Sequence, residues 1–407
     1  MCVARQGLGN SPVPSKRKNP ATHAGLMIQI LVVSLLTGGF IFPVQLPASN
    51  ATGRTTGKIS LSLSQPLTLR WRYASDFTLN LTPASDHERI YLPLGGGTIV
   101  SLRADDGQLY WKSEIGGEFS ASPAADSHAI YVASEAQATD SGDHAGKGAV
   151  RALGLEGGLT IWMKPLPASV RGALAIGHDK VIAGAADGNI YAFDRTNGNV
   201  LWTVQAGSAV NCQPVISAQA VYVGSEAGVL LSLDEATGKI RWRYQTAGPV
   251  RGPVAVVNDT VYFGSGDGYV YAVSEAEGHL RWHSRTGAGV QAVTSVADGL
   301  LVASLDNFAY LLSLSRGKRI WKRQLPGRVS AQPLTTSDSA LFTPLSSDAG
   351  VVLALRNGKQ VNSLPTGDSI NTAASPVVVA DSVFLTTDRG LLAFSHPAEA
   401  KATPTKP

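Results

Sequence analysis

Eight polar residues recur at a fixed distance after a repeated tryptophan, and they are the residues of this chain best suited to bind a ligand. Seven lie nine positions after a tryptophan, and the eighth follows a degenerate copy of the same repeat. Arginine binds carboxylates and other anions through two parallel donors, and amide and hydroxyl groups add neutral hydrogen bonds. The eight residues are Asn80, Ser120, Arg171, Asn211, Arg251, Gln291, Ser330 and Asn371.

The residue before each of these polar positions is apolar, as in Val170 before Arg171 and Val250 before Arg251. Alternation of this kind is typical of a strand with one side chain in the sheet and the next facing open space. We therefore expect a collar around a central channel, near the start of the innermost strands. Two interpretations stay open: a hydrated collar, or a binding ring in which Arg171 and Arg251 hold a carboxylate or another anion.

Other chemistry-bearing patterns are weak. The sequence contains no GxSxG, HExxH or phosphate-binding loop motif, so no catalytic residues are predicted. Asp140, Asp143 and His144 lie in a glycine-rich insertion at spacings that fit no standard metal site, and we interpret them as a solvated loop. Cys2 and Cys212 are the two cysteines, and Cys2 lies in the leader. We expect no internal disulfide and no metal site.

The tryptophans define the elements that must position the collar. Their intervals are 39 or 40 residues, except for one of 51 that contains the insertion. A repeat of this length with four short β-rich runs indicates a β-propeller. A flat indole fills the gap between neighbouring blades, so we predict a structural role between blades. The seven are Trp71, Trp111, Trp162, Trp202, Trp242, Trp282 and Trp321.

The two ends of the repeat region complement each other. The last copy stops near Phe394 without an outer strand, whereas the first begins with a lone outer strand, LTLRWRY at 67–73. We predict an all-β fold, a single eight-bladed propeller over 67–395 with four antiparallel strands per blade. Pairing of the N-terminal strand with the last blade closes the ring and removes an open edge. In the degenerate copy at 358–363, Ser363 stands near the expected tryptophan.

The first 51 residues read as a leader. Basic residues precede an uncharged apolar run at 26–48, which is typical of an export signal or an N-terminal membrane anchor. We expect an apolar helix outside the propeller in 1–51, a linker at 52–66 and a disordered tail at 396–407. Either leader type places the body outside the cytoplasm, in the periplasm or cell envelope.

The charge of the body argues against nucleic acid as a partner. The chain has 34 basic and 30 acidic residues, and four of the basic ones lie in the leader. The remainder is neutral, so it lacks the basic surface that binds phosphate backbones. Nothing in the pattern indicates an oligomer, and we expect a monomeric propeller.

The phrases GNIYAFDRTNGNVLW (188–202) and GYVYAVSEAEGHLRW (268–282) resemble the repeat of pyrroloquinoline-quinone-type (PQQ-like) β-propellers. One branch of that family consists of dehydrogenases that bind the quinone and calcium and carry adjacent cysteines. This sequence has no such cysteine pair and no long insertions. It is more similar to the non-catalytic branch, which includes the propeller subunit of the outer-membrane β-barrel assembly machinery. The resemblance therefore implies no cofactor, neither PQQ nor calcium.

The sequence thus favours an exported, non-enzymatic propeller that serves as a protein-binding scaffold in the cell envelope. The resemblance implies a role in outer-membrane protein assembly. Its partners would be envelope proteins or extended peptide segments, with membrane contact through the N-terminal segment. Two alternatives remain: a quinone-dependent oxidoreductase or a degenerate relative, which would acquire quinone absorbance, and a sensor of small anions or sugars.

Overall fold

The computed structural model describes residues 61–135 and 147–397. In these residues the chain forms eight four-stranded antiparallel sheets, which confirms the predicted all-β, eight-bladed propeller. The predicted N-terminal helix, the insertion residues Asp140, Asp143 and His144, and residues 398–407 of the predicted tail lie outside the described residues. Across the described ranges, no helix has the length and apolar character needed to cross a membrane.

Blades 1 to 4 each follow the order innermost to outermost along the chain. Blade 1 comprises β2 (Ala84–Ser85), β3 (Arg89–Leu94), β4 (Thr98–Arg103) and β5 (Leu109–Glu114). Blade 2 comprises β6 (Ala124–Ala125), β7 (Ile130–Glu135), β8 (Gly148–Leu153) and β9 (Thr160–Leu166). Blade 3 comprises β10 (Ala175–Ile176), β11 (Lys180–Gly184), β12 (Asn189–Asp194) and β13 (Val200–Gln205). Blade 4 comprises β14 (Val215–Ser217), β15 (Ala220–Gly224), β16 (Val229–Asp234) and β17 (Ile240–Gln245).

Blades 5 to 7 repeat this order, and blade 8 takes its outer strand from the start of the propeller. Blade 5 comprises β18 (Ala255–Val257), β19 (Thr260–Gly264), β20 (Tyr269–Ser274) and β21 (Leu280–Arg285). Blade 6 comprises β22 (Val290–Val296), β23 (Gly299–Ser304), β24 (Phe308–Leu312) and β25 (Arg319–Gln324). Blade 7 comprises β26 (Leu334–Thr335), β27 (Ser339–Phe342), β28 (Ser347–Ala354) and β29 (Gln360–Ile370). Blade 8 comprises β30 (Val377–Val379), β31 (Ser382–Thr387), β32 (Gly390–Ser395) and β1 (Thr68–Ala74).

The second strand of each blade is mostly buried and rich in apolar residues because it is covered on both faces. In blade 5, every residue of β19 is buried, and its side chains pack against the sheets on either side. The outer strand β21 is mostly exposed and carries alternating polar side chains. Face-to-face packing of neighbouring sheets therefore distributes the core as a series of apolar layers between blades.

The ring closes as the sequence predicted. Strand β1 pairs antiparallel with β32, in a register that runs from Thr68 opposite Ser395 to Ala74 opposite Gly390. Arg72 lies opposite Leu392, so the first and last parts of the repeat region form one sheet. Closure leaves no blade with a missing outer strand, which is how propellers protect their edges.

Each tryptophan binds the turn between the third and fourth strands of the next blade, through the indole N–H and through the ring face. The N–H donates to a backbone carbonyl at 2.6–3.2 Å: Trp71 to Ala104, Trp111 to Leu155, Trp162 to Arg195, Trp202 to Glu235, Trp242 to Glu275, Trp282 to Leu314 and Trp321 to Leu355. A turn glycine with positive φ lies against the ring, as Gly238 does at Trp202, where a Cβ would come within 2.8 Å of the indole. The indoles thus lie between adjacent blades, and we call each contact a tryptophan latch.

Blade 7 has no tryptophan latch, and the residue at its tryptophan position differs from the one predicted from the sequence. Asn362, not Ser363, occupies the tryptophan position: it lies opposite Val352 just before a register shift, as Trp202 lies opposite Ala192. The described part of the predicted linker, 61–66, is not a free connection, because Leu61 and Leu63 are buried beside this blade.

Candidate functional site

The collar residues lie beside the innermost strands of their blades. Seven of them occupy the connection that precedes the innermost strand, and Gln291 lies within β22. The residue before each is buried, apart from the half-buried Leu79. The apolar half of the alternation is therefore present, and five of the polar residues are exposed: Asn80, Arg171, Asn211, Arg251 and Asn371. Whether the collar binds a ligand stays a prediction.

The two collar arginines each contact a carboxylate of the preceding blade: Glu226 lies in the turn between β15 and β16, and Glu135 is the last residue of β7. Arg251 donates two hydrogen bonds to Glu226, at 2.8 and 2.7 Å, and Asn211 donates a third at 2.9 Å. Arg171 lies 3.3 Å from Glu135. An anion entering the channel therefore meets arginines whose charge is already offset, and it would have to compete with these carboxylates.

The Arg251–Glu226 pair predicts a pH dependence. The hydrogen bond from Arg251 holds the pKa of Glu226 below its ordinary value of 4.5. A carboxyl whose folded-state pKa is lowered stabilises the fold above its ordinary pKa, and this contribution disappears as pH falls through the folded-state value. We expect Arg251→Ala to raise the pKa of Glu226, measured by NMR titration, and to lower the denaturant midpoint at pH 7 but not at pH 2. Arg171→Ala is the control and should leave Glu226 unchanged; an equal shift in both variants would contradict the assignment.

Of the remaining collar residues, Asn371 contacts a side chain, Asn80 contacts the backbone, and the two serines have buried hydroxyls. Asn371 donates to Asp388 at 3.3 Å, and the Asn80 side-chain oxygen accepts from the Ala373 amide at 3.2 Å. The hydroxyls of Ser120 and Ser330 are buried and make no hydrogen bond with protein atoms. The collar is therefore part of the packing between blades as well as a solvent-facing surface.

Cys212 lies next to the collar and is a structural residue. Its thiol is buried and lies 3.1 Å from the Gly224 carbonyl oxygen and 3.0 Å from the Gly224 amide nitrogen. Burial raises the pKa of this thiol to about 12, so the reactive thiolate is absent near neutral pH. Cys212 is therefore a small buried side chain of the core.

Sequence reasoning missed the residues that line the channel beyond the collar. They lie two to four positions further along, and their main signal was the same two-residue alternation. Polar side chains there link neighbouring blades: the Thr82 amide donates to Ser122 at 2.9 Å, and the Ser375 amide donates to Thr82 at 2.8 Å. With Gln213 and Gln332 they border a cavity of about 100 Å³.

The volume of the channel cavity is too small for the quinone that PQQ-dependent dehydrogenases bind. Pockets that hold small molecules usually span about 300–1,000 Å³, and this cavity of about 100 Å³ is well below that range. Within the described ranges, no three His, Cys, Asp or Glu side chains converge in a way that could hold a metal ion.

A larger cavity, of about 770 Å³, opens where blades 8, 1 and 2 meet. Its wall contains Arg89, which is 3.1 Å from Glu156, and Arg103, which is 2.6 Å from Asp105. Both of these arginines are paired with carboxylates, and the wall also contains Arg70 and Glu88, so positive and negative groups are interleaved. The charge pattern of this cavity consequently favours neither an anionic nor a cationic ligand.

The outer strand of blade 2 exposes a run of apolar side chains that the other blades lack. In and just before β9, Leu159 is 77% exposed, Ile161 56% and Met163 50%. In blade 4 the corresponding positions, counted from the tryptophan, hold Lys239, Arg241 and Arg243; in blade 5 they hold His279, Arg281 and His283. Charged side chains on an outer strand discourage pairing with another chain. Comparison of equivalent positions in the repeats would have revealed this surface, which we call the blade 2 edge (Leu159, Ile161 and Met163).

The fold and the repeat define the class of protein: it is an eight-bladed PQQ-like β-propeller. The family model described as outer membrane protein assembly factor BamB matches residues 49–205, 95–249 and 192–401. Together these matches span nearly the whole propeller and more than half of the chain. The chain therefore belongs to the BamB family of outer membrane protein assembly factors.

Solved structures share the fold at low sequence identity. BamB from Moraxella catarrhalis is 17% identical with a TM-score of 0.68, and the alignment covers 81% of this chain and 99% of that one. The computationally designed protein Ika8 is 14% identical with a TM-score of 0.68, covering 80% and 98%. Quinohemoprotein alcohol dehydrogenase from Comamonas testosteroni is 13% identical with a TM-score of 0.64, covering 81% and 76%. No curated protein sequence matches the chain.

Proposed function

We propose that this protein is a non-catalytic scaffold that binds proteins of the cell envelope during outer-membrane protein assembly. Membership of the BamB family supports the process, because the family is described as an outer membrane protein assembly factor. The leader pattern supports a location outside the cytoplasm, with the N-terminal segment available for membrane attachment. In this role the propeller needs no cofactor.

One observation carries the proposed binding mode, the exposed apolar side chains of the blade 2 edge. Strand β9 is the outermost strand of its sheet, so one side of its backbone has no partner strand within the blade. An extended segment of a partner can add to such an edge through main-chain hydrogen bonds, and the exposed apolar side chains then contact its side chains. Outer-membrane β-barrel proteins supply such segments, because their strands alternate apolar and polar residues.

Ile161→Arg is expected to weaken capture of envelope proteins at least tenfold, because a cation on an outer strand opposes strand addition. The measurement is a pull-down from envelope extract with the purified full chain, quantified by mass spectrometry against the unsubstituted protein. Ile320→Arg is the matched control, since Ile320 also precedes a tryptophan and is 50% exposed, on blade 6. Equal losses in both variants, or no loss at Ile161, would contradict the proposed surface.

A further inference from the structure

The contact between blades 7 and 8 lacks a tryptophan latch. Seven tryptophans bind the next blade, but the equivalent position in blade 7 is Asn362. An asparagine side chain is far smaller than an indole, so it leaves apolar side chains of both blades uncovered. Something else must fill the space that an indole takes elsewhere, because interiors pack without large voids.

Residues 61–67, which we call the leucine strap, fill this space. Leu61, Leu63 and Leu67 are 2%, 0% and 7% exposed. They pack in one apolar cluster with side chains of blade 7 and blade 8: Leu334, Leu341, Val352, Leu364, Val383, Leu385, Leu392 and Phe394. The strap thus takes the packing role of the missing tryptophan.

Polar contacts hold the strap by its main chain. The Asn362 amide group donates to the carbonyls of Leu63 and Gln65, at 3.0 and 2.7 Å. Both protons of that amide therefore satisfy backbone oxygens of the strap. The Ser64 hydroxyl also donates to Asp338 at 3.0 Å. Asparagine at this position donates to two carbonyls that flank the turn of the strap, whereas the single N–H of an indole donates to one.

We propose that the space between blades 7 and 8 is a peptide-binding slot, occupied in this structure by the chain's own leucine strap. The slot fits a short segment with leucine-sized side chains two residues apart and a turn whose flanking carbonyls face Asn362. None of these contacts requires the peptide bond between Leu67 and Thr68, so a separate peptide of the same sequence can make them. The inference goes beyond the proposed scaffold function and does not depend on it.

The strap in the same chain has a high effective concentration at the slot, so it competes strongly with any separate peptide. The test therefore uses the full chain with Leu61→Asp and Leu63→Asp, which weaken the strap by placing charges in an apolar site. The probe is a fluorescent heptapeptide with the sequence of residues 61–67, followed by fluorescence anisotropy. We expect saturable binding to this variant and at least tenfold weaker binding to the unsubstituted chain.

Two controls make the binding result specific. Adding Asn362→Ala to the double variant should weaken peptide binding at least tenfold, because the main-chain contacts are lost. A peptide with aspartate at both leucine positions, 61 and 63, should not bind. Absence of saturable binding to a folded variant overturns the proposal, and so does equal binding of the two peptides.

A second measurement decides the matter if the aspartate variant does not fold. Hydrogen exchange of the Asn362→Ala chain should be at least tenfold faster than in the unsubstituted chain at the amides of the strap. Strand β1, which follows directly, should keep its protection through pairing with β32. If the strap and β1 lose protection together, the strap is not a separable ligand and the proposal is wrong.

Discussion

Replacing Trp202 by alanine is expected to lower the free energy of unfolding by about 3–5 kcal/mol, as for other buried large side chains. The variant loses the indole between blades 3 and 4 and the hydrogen bond to the Glu235 carbonyl. Chemical denaturation followed by circular dichroism measures the change. Leu201→Ala is the control within the same strand: Leu201 is exposed, and its loss should cost about 0.5 kcal/mol or less.

The turn glycine opposite Trp202 provides an independent test of the same latch. Gly238 has a φ of 71°, and an added Cβ would lie 2.8 Å from the indole. We expect Gly238→Ala to cost about 2–4 kcal/mol, combining left-handed backbone strain with overpacking. Gly207 has a similar φ and open space around an added Cβ. Gly207→Ala should therefore lower the free energy of unfolding by only about 1 kcal/mol. Equal costs at the two glycines would contradict the latch.

Gly390→Ala is expected to disrupt the closure of the ring. Gly390 pairs with Ala74 at the end of the β1–β32 ladder, where an added Cβ would lie 1.9 Å from the Tyr73 carbonyl oxygen. The backbone cannot move aside as a flexible side chain can. We therefore expect the free energy of unfolding to fall by about 2–4 kcal/mol because of strain and overpacking. Faster hydrogen exchange should be confined to β1 and its partner strand.

The control for closure is Gly96→Ala in the corresponding turn of blade 1. Gly96 also has a positive φ, of 73°, but nothing lies within 4 Å of an added Cβ. Its substitution should cost about 1 kcal/mol through backbone strain alone and should leave exchange in β1 unchanged. Closure through β1 would be contradicted if the two variants lost stability equally and β1 stayed protected in both.

The fold was predictable because one residue type, tryptophan, marks the length of the blade repeat. The interval of about 40 residues between tryptophans gave the repeat, and seven tryptophans with the degenerate copy at 358–363 gave eight blades. The lone first strand and the missing last strand gave the closure. The tight turns were also readable, since glycine supplies the positive φ that they need. The sequence did not predict that each turn glycine also lies against the indole of the preceding blade. This contact joins residues that are more than 30 positions apart and belong to different sheets.

The candidate site was less predictable for the same reason. Alternation located the collar residues, but it did not show that Arg251 faces Glu226, a residue of the preceding blade. The leucine strap was read as a linker because Leu61, Leu63 and Leu67 do not belong to the repeat. Their burial depends on the space left by Asn362, almost 300 residues away. Periodicity describes what the blades share, whereas these features arise where one blade differs from the rest.

Site-specific photo-cross-linking at the blade 2 edge tests the proposed function most directly. A photoreactive amino acid is placed at Met163 in β9 or at Arg243, the equivalent position in β17, in cells that express the full chain. We expect adducts with outer-membrane β-barrel proteins or their assembly factors, at least tenfold more abundant from position 163 than from 243. Equal adducts at the two positions, or adducts from position 243 alone, would contradict the account.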